Sequence, residues 1–244
     1  MENDNGWSFI IITDGSQGPR LKTVVESVVR EVPENRRDII VVGGYSIDKE
    51  LIDRYDVYFV PFDEREHPGA ISWKKNIGVS CARFEKVVVL HDYLIVGDHN
   101  WLSSWDAMRN EWDVGINVIE NLDGSRFRDH CSWGDPRIPP GFWQFEPWCP
   151  QGLYHSGTPA LMNYDDPNPH WFISGAAFII KKKIYMENPL PEYLKHSMGE
   201  DVWMSLRLRE LNYRYIFNKN TKFKLLKQKD VIIRNAFHLE IPQA

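Results

Sequence analysis

Three near-continuous apolar runs constrain this chain most: Trp7–Thr13 (WSFIIIT), Asp38–Val42 (DIIVV) and Lys86–Leu90 (KVVVL). Each is too short for a helix, and the first two end on Asp14-Gly15-Ser16 and Gly43-Gly44. Such runs predict strands buried on both faces, which need helices above and below a largely parallel sheet. Between the first two, Leu21, Val24, Val25, Val28 and Val29 recur at helical spacing until Pro33 and Asn35 close the segment. That is a β-α-β unit. The alternation continues with a strand at Asp56–Val60, helices over Trp73–Arg83 and Trp101–Arg109, and a strand at Val114–Ile119. Farther on, Trp171–Ile180 predicts a core strand, Gly199–Leu211 a helix and Arg214–Asn218 a short strand. The expected class is α/β, a mostly parallel, doubly wound sheet flanked by helices.

The stretch from Asn121 to His170 breaks this pattern: it holds eight of the 15 prolines together with Trp133, Trp143 and Trp148, and shows little periodicity. A loop of that length is usually functional or disordered, and its aromatic content favours function. With no internal repeat and no linker, the 244 residues read as one domain with a long irregular insertion at 121–170. At 43% hydrophobic residues the chain can bury a sizeable core.

Net charge is −5, and no basic tract exceeds Lys181-Lys182-Lys183, so a nucleic-acid partner is not expected. Cys81, Cys131 and Cys149 are odd in number and widely spaced, which fits neither a disulfide framework nor a zinc site. A reducing compartment, the cytoplasm, is the expected location, with peripheral membrane attachment left open. The opening MENDNGWSFI lacks the charge and apolar pattern of a secretory leader. Nowhere do about 18 uncharged apolar residues run together, so no transmembrane segment is expected.

In open α/β sheets ligands bind beyond the carboxyl ends of the strands. After the first strand, Asp14-Gly15-Ser16-Gln17-Gly18 offers backbone donors near a helix start, a cradle for phosphate or ribose. It matches neither GxGxxG nor GxxxxGK[ST], and the same composition suits a bare strand-to-helix turn. After Leu90, His91 and Asp92 supply an imidazole and a carboxylate, a partial shell for Mn²⁺ or Mg²⁺. Adjacent residues on a strand point to opposite faces, however, and a hydrogen-bonded strand end reads the same way. Glu200-Asp201 stands at a helix start, where the dipole favours carboxylates and where a general base would be held rigidly.

Four stretches, in this order, carry a family resemblance: FIIITDG; DIIVVGGYSID; WKKNIGVSCARFEKVVVLHDYLIVGDHNWL; and SGAAFIIKKKIY followed by MGEDVWMSLRLRELNYRYIF. Their sequence of features resembles the GT-A (Rossmann-like) glycosyltransferases, in particular the inverting, nucleotide-sugar-dependent family 2, over most of the chain. The resemblance implies a nucleotide-sugar-binding half at 1–120 and an acceptor-binding half at 121–244. It implies sugar transfer from a UDP-, GDP- or TDP-linked donor to a glycan or other hydroxyl acceptor, with inversion, Asp201 as base and Glu200 beside it. The family's Asp-x-Asp triplet corresponds to His91-Asp92-Tyr93 and is degenerate. Its Asp-Asp-Gly-Ser corresponds to Gly43-Gly44-Tyr45-Ser46.

Donor contacts are then expected from Thr13, Asp14, Gly15, Gly44, Ser46, Lys75, Asn76, His91 and Asp92. Lys74 and Lys75 also read as a solvated helix face. Acceptor contacts are expected from Trp143, Trp148, Gly175 and Trp203, since indole faces stack on sugar rings. A divalent cation, Mn²⁺ or Mg²⁺, would be held by Asp92, His91 and His238. Two alternatives stay open: a non-catalytic GT-A-like protein that binds a nucleotide or glycan, and a nucleotidyltransferase.

Overall fold

The structure, a computed structural model, describes residues 5–16, 18–97, 99–109, 111–132, 160–165, 171–196 and 198–229. In chain order the elements begin with β1 (Trp7–Ile12), α1 (Gly18–Glu31), β2 (Arg37–Val42), α2 (Lys49–Tyr55), β3 (Val57–Val60), α3 (Ile71–Cys81) and β4 (Lys86–His91). They continue with β5 (Leu94–Val96), α4 (Trp101–Ala107), β6 (Val114–Glu120), β7 (His130–Ser132), β8 (Ala160–Leu161) and β9 (Trp171–Ile173). The last are β10 (Ala177–Lys181), α5 (Lys182–Glu187), α6 (Glu200–Glu210) and β11 (Tyr215–Leu225).

The described residues form an eight-stranded sheet in the order β3-β2-β1-β4-β10-β6-β11-β5 and a three-stranded sheet, β8-β7-β9. β3, β2, β1 and β4 are mutually parallel, β10 runs antiparallel between β4 and β6, and β11 lies parallel to β6. Alternate residues of the apolar runs enter opposite cores, as the both-faces-buried pattern requires. On one face Phe9, Ile11, Ile39, Val41, Val88 and Leu90 pack with Leu21, Val24, Val25 and Val28 of α1. On the other, Ile10, Ile12, Ile40, Val42, Val87 and Val89 meet α3, α5 and α6.

The start of β1 is locked by Trp7, Trp101, Trp105 and Trp112, all essentially inaccessible. Trp7 meets Trp101 edge-on at 4.9 Å and stacks on Trp112 at 6.0 Å. The indole N–H groups of Trp101 and Trp105 both donate to Asn117 Oδ1. This rigid hub sits at the opposite strand ends from the carboxyl edge.

Two expectations change. The predicted strand Trp171–Ile180 is two strands in two different sheets, broken at Ser174-Gly175-Ala176. There Ala176 N–H donates to Ser174 Oγ, and Gly175 lies against Glu200 and Asp201 with no room for a side chain. The predicted strand Arg214–Asn218 runs on to Leu225 as β11 through an irregularity between Asn218 and Lys222. In that extension Thr221, Phe223 and Leu225 are buried while Lys222 and Lys224 are only partly so, a one-sided pattern that the search for continuous apolar runs passes over. No helix among the described residues is long and apolar enough to cross a membrane.

Candidate active site

The carboxyl ends of β1, β2 and β4 and the start of β10 meet at one edge of the sheet. The loops after β1 and β2 are pressed together there. Gly43 has φ +128° and a Cβ on it would fall on the Thr13 carbonyl, while Gly15 and Gly44, at φ +78° and +72°, meet backbone to backbone. Side chains at these positions would force the loops apart, which is a physical reason for Gly43-Gly44. Thr13 is the knot. Its N–H donates to Val42 O, its hydroxyl donates to Asp92 Oδ2 at 2.8 Å and accepts from Gly15 N–H, and its carbonyl accepts from Lys74 Nζ.

Two clefts open from Thr13. One, of about 300 Å³, lies between Gly15, Gly18, Ser46, Asp48 and Leu51. The other, of about 380 Å³, is lined among others by Asp14, Arg20, Lys74, His91, Asp92 and Lys227. Asp14 is exposed and accepts both the N–H and the hydroxyl of Ser16, which hold its carboxyl below the usual range. Burial raises Asp92, against the opposing hydrogen bond from Thr13. Burial and then the nearby Lys75 and Lys229 push His91 well below the usual imidazole range, so it is neutral at pH 7. Its Nε2 is buried without a hydrogen-bond partner among the described residues.

Lys74 and Lys75 do not form a solvated face: they are 6% and 0% exposed. Lys74 pairs with Glu64. Lys75 Nζ donates to Gly175 O at 2.8 Å and to Glu200 Oε1 at 3.0 Å, inside the protein. Asn76 takes Tyr185 O–H and Leu190 N–H on its oxygen and gives its amide to Leu190 O, so its side chain is occupied in joining α3 to the segment after α5.

Next to this ion pair lies Asp201. Its Oδ2 accepts Gly175 N–H at 3.1 Å and its Oδ1 accepts Val202 N–H at 2.9 Å. Ser205 ties α6 to β9 by donating to Asp201 O and accepting from Ile173 N–H. Burial first, then the Glu200 charge, raise the Asp201 carboxyl to about 7. A short chain of contacts links it to the strand end, because Gly175 adjoins Ala176, whose carbonyl accepts His91 N–H. Trp203 packs, partly buried, against the core beneath α6. Trp143, Trp148 and His238 lie outside the described residues.

Sequence reasoning passed over Arg20, Lys227 and Lys229. Arg20 lines the second cleft, with its Nε buried and unpartnered among the described residues. Lys227 and Lys229 place their ammonium groups 4.7 Å and 3.7 Å from the centre of the Tyr93 ring. Both lie in the segment just past β11, a signal legible only once β11 is known to end at this edge.

No protein-family model matches the sequence, and no curated protein matches it. Solved structures do match. A crystal structure of GalNAc-T7 with UDP, GalNAc and Mn²⁺ superposes with a TM-score of 0.62 at 13% identity, covering 96% of this chain and 45% of that one. Two structures of S. aureus TarS, the second spanning its residues 1–349, give TM-scores of 0.59 and 0.53 at 14% identity. They cover 90% and 91% of this chain and 36% and 58% of theirs. The fold is the GT-A fold. The chain spans about half the length of these GT-A structures.

A divalent cation needs several converging oxygen or nitrogen ligands. Among the described residues no three His, Cys, Asp or Glu side chains converge in this GT-A chain. Asp92 is bound to Thr13, Asp14 to Ser16, and the next strand-end side chain, Tyr93, is a phenol whose ionisation burial opposes. His91 Nε2 has no hydrogen-bond partner among the described residues, and burial with the nearby Lys75, Lys229 and Lys74 lowers its affinity for a positive charge. The described residues therefore do not fit such an ion.

Proposed function

We propose that this chain is a glycosyltransferase that moves a sugar from a nucleotide diphosphate donor to a hydroxyl acceptor with inversion, with Asp201 as the base. The observation that carries this reading is the geometry of Asp201, whose carboxylate is held at the start of α6 by the Gly175 and Val202 N–H groups beside the Lys75–Glu200 pair. A general base works best when its pKa lies near the working pH, and burial beside Glu200 brings Asp201 there while two backbone N–H groups fix its direction. Lys75 balances the Glu200 charge, so the pair stays ordered beneath it.

In the reaction the acceptor oxygen forms a bond to the anomeric carbon as the bond from that carbon to the diphosphate breaks. The acceptor proton passes to Asp201, and the bonding pair leaves with the diphosphate. The nucleoside fits the cleft between Gly15 and Ser46, and the diphosphate fits the cleft beside Asp92, the two meeting at Thr13. Residues 1–120 then form the donor half of one domain, with the acceptor in the half that follows. The GT-A fold, shared with a GalNAc-T7 structure that contains UDP and GalNAc, supports this reading.

The test is release of UDP, GDP or TDP from a panel of nucleotide sugars with hydroxyl acceptors. Product with an inverted anomeric centre is the expected result. Nucleotide binding with no release would instead favour the non-catalytic reading, which the His91-Asp92-Tyr93 and Gly43-Gly44 sequences keep in view, and release of pyrophosphate would favour a nucleotidyltransferase.

A further inference from the structure

Arg20, Lys227 and Lys229 gather at the diphosphate end of the cleft near Asp14 and Asp92, three cations against two carboxylates that are each hydrogen-bonded to a hydroxyl instead. Arg20 and Lys227 line it, and Lys229 sits on the ring of Tyr93, which also lines it. None of the three makes an ion pair among the described residues, whereas Lys74 beside them is matched by Glu64 and Lys75 by Glu200. Arg20 and Lys229 are partly buried and Lys227 is exposed; a partly buried cation without an ion-pair partner carries a desolvation cost. The cost shows at Lys229, where burial, then Lys227 and Arg128, bring the ammonium down to about 7.

The three cations exceed the carboxylates of Asp14 and Asp92 by one charge, and a bound anion would balance it. The Tyr93 ring holds both lysines by cation–π contact at one side of the cleft. Arg20, the first-turn arginine of α1, adds a guanidinium with an unpartnered Nε, the group best suited to paired phosphate oxygens.

We propose that Arg20, Lys227 and Lys229 hold the donor diphosphate directly and take the place of a divalent cation. This rests on the glycosyltransferase reading for the identity of the anion. In the transfer step the three cations receive the charge that collects on the departing diphosphate, and Tyr93 positions the two lysines.

The test is calorimetric titration of the full chain with UDP, GDP, TDP and inorganic pyrophosphate, each in EDTA and in Mn²⁺. At least one nucleoside diphosphate is expected to bind with the same affinity, within about twofold, in both conditions, and pyrophosphate to compete with it. Lys227→Ala, Lys229→Ala and Arg20→Ala should each weaken binding by about 10-fold, the scale of one charge-assisted contact. Lys229→Arg should retain most of it, and Lys183→Ala, an exposed lysine on α5 away from both clefts, should leave it unchanged. Melting curves of each variant separate lost binding from lost folding. Binding that requires Mn²⁺, or that survives all three alanine substitutions, overturns the proposal while leaving the glycosyltransferase reading intact. Metal-free binding with no sugar transfer overturns that reading and leaves the cation site standing. If none of the nucleotides binds in either condition, both fall.

Discussion

Asp201 and Lys75 show how burial changes the meaning of an ordinary residue. Because the folded-state carboxyl of Asp201 is raised, its protonated form contributes stability that is full below the unfolded value, about 4, and is lost as pH rises through about 7. The proposed base role, by contrast, needs the deprotonated carboxylate. Turnover is therefore expected to rise from acid pH and level off above about 7, with the acid limb set by Asp201. Asp201→Asn should melt higher than the native protein at pH 8, with the advantage shrinking towards pH 4, as thermal scans across pH would show. Lys75→Met leaves Glu200 charged and alone in a buried site, which costs roughly 3–5 kcal/mol. Lys75→Met combined with Glu200→Leu should recover most of that in denaturant unfolding. The carboxylate pair was legible in the sequence because a helix start favours acidic residues. The lysine's burial was not, because its partner is 125 positions away.

At the scale of elements, the site is a junction of strand ends whose loops touch. Gly43→Ala combines a left-handed backbone with a collision against the Thr13 carbonyl, and a strained residue of this kind costs about 1–3 kcal/mol before the clash is counted. A lower denaturation midpoint and weaker nucleotide binding are the expected outcomes, since the loop carrying Gly15 must shift with it. Gly175→Ala brings a methyl group to 2.6 Å from Glu200 Oε1 and 3.0 Å from Asp201 Cβ. Activity should fall more than stability, because the backbone there has no positive φ and the nearest atom to be displaced is the end of the Glu200 side chain. The apolar strands β1, β2 and β4 announced themselves as continuous runs buried on both faces. The break at Gly175 and the length of β11 did not, because the first depends on α6 arriving from elsewhere and the second alternates buried and charged residues.

Across the whole molecule, the tryptophan hub packs one end of the sheet, and the opposite edge is where an open α/β fold is expected to hold a ligand. A ligand that binds only the folded state adds about 2.7 kcal/mol at a hundred times its dissociation constant. For a chain of this size that is roughly 5–10 °C in Tm, so a scan with UDP, GDP and TDP should single out the nucleotide. The GT-A architecture was readable from the order of four sequence stretches, while the cation cluster at its centre arises from residues at 20, 227 and 229 that only the fold brings together. The most direct measurement of the central claim is the rate of nucleotide release from the accepted donor by the native protein and by Asp201→Asn. A drop of about 10²- to 10⁴-fold in turnover, with nucleotide affinity unchanged, is the predicted result; full turnover by Asp201→Asn would contradict it.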